Sequence, residues 1–237
     1  MKTKYEIAEL VVEMEPRYTP LQPQAEAYRT ETKQDALHFI TVEEERYRWY
    51  AERYQTSDFG LIEYMDTGST FYNLLLDHDG LLLHASAVEL DGKAYLFSAP
   101  SGTGKSTHTT LWLRNFPDAK ILNDDKPAIR LFPNGIFVYG TPWSGKTDLS
   151  RNQKVPLQGI TFLSRGQENR IEPMSSLQAI QSILEQTVRP QDAQRFDSLL
   201  KSIERLIQEI PIFQMECNMD PDAAILSHKI MTGGYTK

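Results

Sequence analysis

The run LLLHASAVELDGKAYLFSAPSGTGKST, residues 81–107, holds two β-rich stretches, a tight turn and a glycine-rich loop in unbroken succession. Residues 81–90 and 93–98 are joined by Asp91-Gly92, a pair that favours the type I′ turn because both central positions need positive φ. The second strand is therefore expected to run antiparallel to the first. Directly after it, residues 99–107 fit the spacing of a phosphate-binding loop: a small residue, four free positions, then Gly-Lys-Ser. Ala99 replaces the usual first glycine, while Gly104, Lys105 and Ser106 match, and a helix-like stretch follows. The bland alternative is a Gly/Ser turn with an ordinary surface lysine.

The chemistry expected of this loop follows from charge. Backbone N–H groups at Ser101, Gly102, Thr103 and Gly104, with a helix N-terminus, can cradle a triphosphate provided the two glycines are free to turn. Lys105 would reach the β and γ oxygens, Ser106 would ligate magnesium, and Thr107 would bond an α-phosphate oxygen. The implied cofactors are ATP, or another nucleoside triphosphate, and Mg2+.

Outward from this run, entry through a hairpin implies a mixed sheet, because the usual dinucleotide-binding and Ras-like architectures feed the loop from a parallel strand. A second hairpin is expected from residues 128–132 and 136–139 around Pro133-Asn134-Gly135, and residues 157–163 read as a core strand. Upstream, residues 5–13 alternate weakly like one strand, Pro16, Pro20 and Pro23 mark a loop, and residues 36–40 offer a short strand. Thr41 and Glu44 suggest a capping box before a helix at 43–54, and residues 61–76 suggest a second helix. Downstream, Ser175 and Gln178 form another capping box, and Phe196, Leu199, Leu200, Ile203, Leu206, Ile207 and Ile210 draw a helical stripe. Residues 211–216 read as a strand, and Asp220-Pro221 as the N-cap and first-turn proline of a last helix reaching about 231. The expected fold class is α/β (α+β), with residues 1–80 flanking a nucleotide-binding core at 81–237, or the whole 1–237 as one domain.

Composition narrows the partners. With 237 residues, 40% hydrophobic and 24% charged, the chain reads as an ordinary globular protein. A net charge of -7 disfavours nucleic acid and anionic membranes, so any phosphate site must be a focused one. The single cysteine, Cys217, lies in an apolar stretch and reads as a buried, reduced thiol. Acidic residues within the first dozen positions argue against a signal peptide, and no stretch approaches the ~20 apolar residues of a membrane span. A cytoplasmic setting is expected.

Phosphoryl transfer also needs carboxylates for the metal and for a proton. Asp124-Asp125, ending the apolar run at 120–123, can supply them if that strand neighbours the loop strand; otherwise the pair is a plain turn. His84 reads equally as a core histidine or a site residue. Residues 140–146, GTPWSGK, form a second glycine-bracketed loop in which Lys146 could neutralise charge and Trp143 could stack on adenine, or simply be a buried surface-turn tryptophan. Arg151 reads as solvated, and Arg165 and Arg170 as lesser candidates for acceptor or phosphate contact.

In order and spacing, His84 to Gly92, Ser101 to Ser106 and Leu122-Asn-Asp-Asp125 resemble the catalytic domain of HPr kinase/phosphorylase, over roughly residues 81 to 165. The resemblance implies the mixed sheet shared with phosphoenolpyruvate carboxykinases, with the phosphate loop at its edge. It implies Lys105 as phosphate lysine, Ser106 as magnesium ligand, Asp124 as base on the acceptor hydroxyl, Asp125 as metal or orienting carboxylate, and His84 near the transferred group. The family's Glu-x-Arg-Gly stretch has no match at 140–146, and its N-terminal domain is not recognisable, so the chain looks like a small stand-alone relative. The expectation is a kinase acting on a serine of a peptide or small protein, with self-association plausible. A metabolite kinase, and a nucleotide-binding sensor without turnover, are the alternatives.

Overall fold

The computed structural model describes residues 3–233. Strands β1 (Thr3–Ile7) and β2 (Leu10–Met14) form an antiparallel hairpin turning at Ala8 and Glu9, both at positive φ. The alternating run at 5–13 is thus two strands, not one. Neither turn residue is the Asn or Gly that normally marks such a turn, so the sequence carries no signal for it. Helix α1 (Leu21–Ala25) forms within the stretch expected to be a loop and holds Pro23 in its first turn, where a missing N–H breaks no helical bond, and β3 (Phe39–Ile40) pairs parallel with β2.

Helix α2 (Glu44–Tyr54) is capped by Glu43 without a side-chain bond, so the Thr41–Glu44 capping box does not form. The chain runs on past Thr41 to bury Val42 against Tyr47, Tyr50 and Ile62; burial outweighs the local cap. Helix α3 (Phe59–Leu76) starts at Asp58, whose carboxylate accepts the Leu61 N–H.

The expected strand at 81–90 is broken into β4 (Gly80–Leu82) and β5 (Ala85–Leu90), which leads through Asp91 and Gly92, both at positive φ, into β6 (Lys93–Ser98). The break has a cause: the His84 N–H donates to Gln186 O at 2.7 Å and the Ala85 N–H to Asp125 O at 3.1 Å, as the chain passes from one part of the sheet to another. Then come α4 (Lys105–Asn115), β7 (Lys120–Asn123), the hairpin β8 (Ala128–Phe132) and β9 (Gly135–Tyr139), and β10 (Lys154–Arg165). The chain closes with β11 (Arg170–Pro173), α5 (Ser176–Glu185), α6 (Ala193–Glu209), β12 (Ile212–Cys217) and α7 (Asp222–Thr232). The Ser175–Gln178 capping box is present, whereas Pro221 rather than Asp220 caps α7 and the Asp220 carboxylate instead accepts from Asn218.

Among the described residues nine strands make one curled mixed sheet, in the order β4-β8-β9-β10-β6-β5-β7, with β12 also on β10 and β11 on β12. The long β10 pairs with β9 through its first residues and with β12 through its last, so one strand joins two stretches of sheet. Strand β6 is antiparallel to β5 and parallel to β10. It therefore lies inside the sheet rather than at its edge, because β10 occupies the side left open by the hairpin.

Alternation along β6 divides the core. Ala94 and Leu96 face α5 and α6, whereas Tyr95 and Phe97 face α4 and α7. A third cluster joins residues of β1, β2, α1 and α3 to Leu82, Ala128, Tyr139 and Trp143, so the N-terminal elements share a core with the sheet. Among the described residues no helix is long and apolar enough to cross a membrane.

Candidate active site

Strand β6 runs straight into the loop at 99–104 and then α4. Gly102 and Gly104 hold φ of +78° and +129°, conformations that L side chains rarely adopt, although a Cβ at either would meet nothing within 4 Å. The glycines are thus needed for the backbone path, and the space above them is open. Gly104 is the N-cap of α4 and brings no side chain to the helix's first N–H groups. Lys105 is buried and donates from Nζ to Ala99 O at 2.9 Å. Burial lowers its pKa below the usual lysine value, and the nearby carboxylates of Asp125 and Asp124 oppose that shift.

The second wall is made by the turn after β7. Buried Asn123 accepts from the N–H groups of Asp125 (3.0 Å) and Lys126 (2.7 Å), and its Nδ2 donates to Thr141 O at 3.0 Å. This side-chain-closed turn sends the two carboxylates in different directions. Asp124 is buried: its Oδ1 accepts from Ser86 Oγ at 2.7 Å, and its Oδ2 from Thr147 Oγ1 at 2.9 Å and Ser106 Oγ at 3.2 Å. Asp125 meets His84 Nε2 at 3.2 Å through Oδ1 and Lys126 Nζ through Oδ2. Burial would raise the Asp125 pKa, yet the His84 hydrogen bond and the Lys126 charge outweigh it and bring the carboxyl down to about 2. His84 Nδ1 faces Gln186 Oε1 at 3.0 Å, so the ring is held from both sides.

The third wall is the turn at 144–147, and the N-terminal elements hold it. Gly145 N–H donates to Tyr64 Oη at 2.8 Å and Gly145 O accepts from Gln24 Nε2 at 3.0 Å, while a Cβ on Gly145 would lie 2.9 Å from Asp125 Cβ. The three walls enclose a cavity of about 470 Å³ lined by His84, residues of the 101–107 loop, Asp124, Asp125 and Ser144 to Thr147. Ser101, Gly102, Gly104, Lys105, Ser106 and Thr107 all line it; Thr103 turns away and donates its N–H to Pro100 O at 3.2 Å. Lys146 lines it from the exposed side of the turn. Among the described residues, the buried side-chain polar atoms with no partner are Gln24 Oε1, His108 Nδ1 and Ser144 Oγ. Of these, Ser144 lines the cavity, Gln24 lies on α1 and reaches the turn through Gly145 O, and His108 lies on α4.

Several sequence expectations change here. Trp143 does not face the cavity: it is fully buried, stacked on Phe71 at 5.0 Å, with Gly68 making room for its ring, so it cannot stack on a base. Arg165 braces the loop through its guanidinium edge, donating from Nε to Thr103 O at 3.1 Å and from another N–H to Gly102 O. Arg170 pairs with Glu172 on the surface and Arg151 with Glu89 at 3.4 Å. Cys217 is only half-buried, and burial raises its pKa. The sequence reading missed Ser86, Thr147, Gln186 and Tyr64, which touch the candidate residues from distant parts of the chain; no local motif announces them.

A magnesium ion fits the donor set. A hydroxyl and a carboxylate oxygen 3.2 Å apart are hard ligands of the right kind. Among the described residues no group of three or more His, Cys, Asp or Glu is placed to hold a metal.

Residues 52–222 match the family described as SynChlorMet cassette protein ScmC, well over half of the chain, and it is this family rather than HPr kinase that the sequence matches. No curated protein matches. Among solved structures, the Hpr(Ser) kinase/phosphatase from Coxiella burnetii is similar with a TM-score of 0.36 and 12% identity, over 65% of this chain and 99% of that one. So slight a likeness carries no argument about fold or activity.

Proposed function

The chain belongs to the ScmC family, and we propose that it is an ATP- and magnesium-dependent phosphotransferase that moves the γ-phosphoryl group to a hydroxyl, a serine of a peptide or small protein being the acceptor class. The observation that carries this reading is the 3.2 Å contact between Ser106 Oγ and Asp124 Oδ2, which joins the loop to the carboxylate turn across one cavity.

The hydrogen bonds favour a division of labour opposite to the one expected from sequence. Asp124, bonded to Ser106, belongs on the cation side, and Asp125 on the acceptor side. When bound, the cation screens the phosphate oxygens and draws charge from the breaking bond. Lys105 has only the Ala99 carbonyl to leave, and would turn to the β and γ oxygens. The acceptor oxygen forms a bond to the γ phosphorus as the β–γ bridging bond breaks, and the hydroxyl proton passes to the Asp125 carboxylate. A carboxyl titrating near 2 stays ionised, so it orients the hydroxyl and takes the proton late, which suits a loose transition state. His84 and Lys126 hold that carboxylate in place, and Lys146 offers a cation to the moving group.

The test is transfer itself. Protein, Mg2+ and γ-labelled ATP are incubated with serine-containing peptides in one series and small alcohols in another. Label on peptide serine with matching ADP, lost in Lys105→Ala, is the expected result; label on alcohols alone moves the acceptor to metabolites, and no transfer to either refutes the reading.

A further inference from the structure

Strands β6, β10 and β12 run parallel, so their carboxyl ends reach the same edge of the sheet. Ligands of open α/β sheets gather outside such ends. The first strand delivers the glycine loop, the second Arg165 and Gly166, and the third Cys217, Asn218 and Met219. Between them lies a second cavity of about 480 Å³, which shares Gly102, Gly104 and Thr107 with the cavity described above. The loop therefore has two flanks. One carries the paired carboxylates of the turn after β7; the other carries Arg165, His108 and Met219 and no carboxylate.

We propose that this second cavity takes the nucleoside end of the nucleotide, with the base against Arg165 and Met219, an inference that rests on the nucleotide reading above. Three observations carry it. Two loop carbonyls fix the Arg165 guanidinium, and among the described residues no carboxylate pairs with it, which leaves a planar cation free to stack on a base. Met219, an unbranched thioether, is 77% exposed on the rim. The rim is built in advance: Asn218 Nδ2 donates to Gln167 O at 2.9 Å, and the Asn218 N–H to Asn169 Oδ1 at 3.0 Å, bolting the two loops together.

The third wall adds an unspent acceptor. Ser227 Oγ donates to Ala224 O and accepts from Trp112 Nε1, so at 3.1 Å it must also accept from His108 Nε2. That fixes the proton on Nε2 and leaves the buried His108 Nδ1 as a bare lone pair without a partner, on a residue lining this cavity.

The experiment compares ATP with inorganic tripolyphosphate, which has the charge without the nucleoside. Affinities are measured by calorimetry, and methyl-13C methionine spectra are recorded with each ligand, the Met219 signal being assigned through Met219→Leu. ATP should bind about tenfold tighter than tripolyphosphate, the scale of one stacked base. The Met219 methyl should shift with ATP and stay still with tripolyphosphate, and Met219→Ala should weaken ATP alone. Equal affinities, or a silent Met219 methyl in the ATP-saturated protein, would overturn the placement of the base while leaving the phosphate loop intact. Failure of both ligands to bind would overturn the nucleotide reading, and this proposal with it.

Discussion

Exchanging each aspartate of the pair for asparagine separates the two roles assigned to them. Asp124→Asn removes a charge that three hydroxyls address, from Ser86, Ser106 and Thr147. The amide oxygen can still accept from two of them, so the ligand-free protein should lose only about 1–2 kcal/mol, the gap between charged and neutral hydrogen bonds. Magnesium should register far more. Loss of an outer-shell partner alone weakens metal binding roughly 10- to 100-fold, and a carboxylate facing the Ser106 hydroxyl should cost at least that. Calorimetric titration with ATP, once with Mg2+ and once with EDTA, reads the effect: in Asp124→Asn the two affinities converge. Asp125→Asn should keep the magnesium dependence and the affinity, because its carboxylate faces His84 and Lys126 instead. Its transfer rate should fall about 10²- to 10⁴-fold, the usual worth of a positioned base. Loss of magnesium dependence in Asp125→Asn with its retention in Asp124→Asn would refute the assignment.

Three further outcomes follow from named contacts. Tyr64→Phe removes the 2.8 Å partner of the part-buried Gly145 N–H, costing about 1 kcal/mol in denaturant unfolding, and should lower transfer more than it weakens ATP binding. Trp143→Phe should cost about 2 kcal/mol of stability through lost packing on Phe71 while ATP affinity holds, since the ring is core rather than a base platform. Burial brings the His108 pKa from 6.5 down to about 4, so between those values the unfolded chain binds more protons than the folded one. Stability should therefore fall by up to about 3 kcal/mol as pH drops from 6.5 to 4, and His108→Gln should flatten that slope in urea titrations.

What could be read in advance was whatever the chain states locally. Asp91-Gly92 gives the first hairpin because positive φ at two successive positions leaves few alternatives, and the stripe from Phe196 to Ile210 gives α6 because its period is 3.6. Gly102 and Gly104 likewise take the positive φ that a glycine-bearing turn between a strand and a helix calls for. What was not legible depends on contacts distant in sequence. The break at Leu83 and His84 exists because Gln186 O and Asp125 O, far along the chain, capture two N–H groups. Trp143 was misjudged because only the space left by Gly68 on α3 lets its ring sink into the core. The different neighbours of Asp124 and Asp125 were also hidden, because they depend on Asn123, whose side chain accepts the Asp125 and Lys126 N–H groups and closes the turn.

The central claim is that the 101–107 loop and Asp124 meet one triphosphate and its cation. A crystal structure with Mg2+ and a non-hydrolysable ATP analogue tests it most directly. The account predicts the β and γ phosphates against the loop N–H groups, Lys105 withdrawn from Ala99 O to the phosphate oxygens, and the cation between Ser106 Oγ and Asp124. A triphosphate bound elsewhere, or a saturated crystal whose loop cavity holds none, would contradict it.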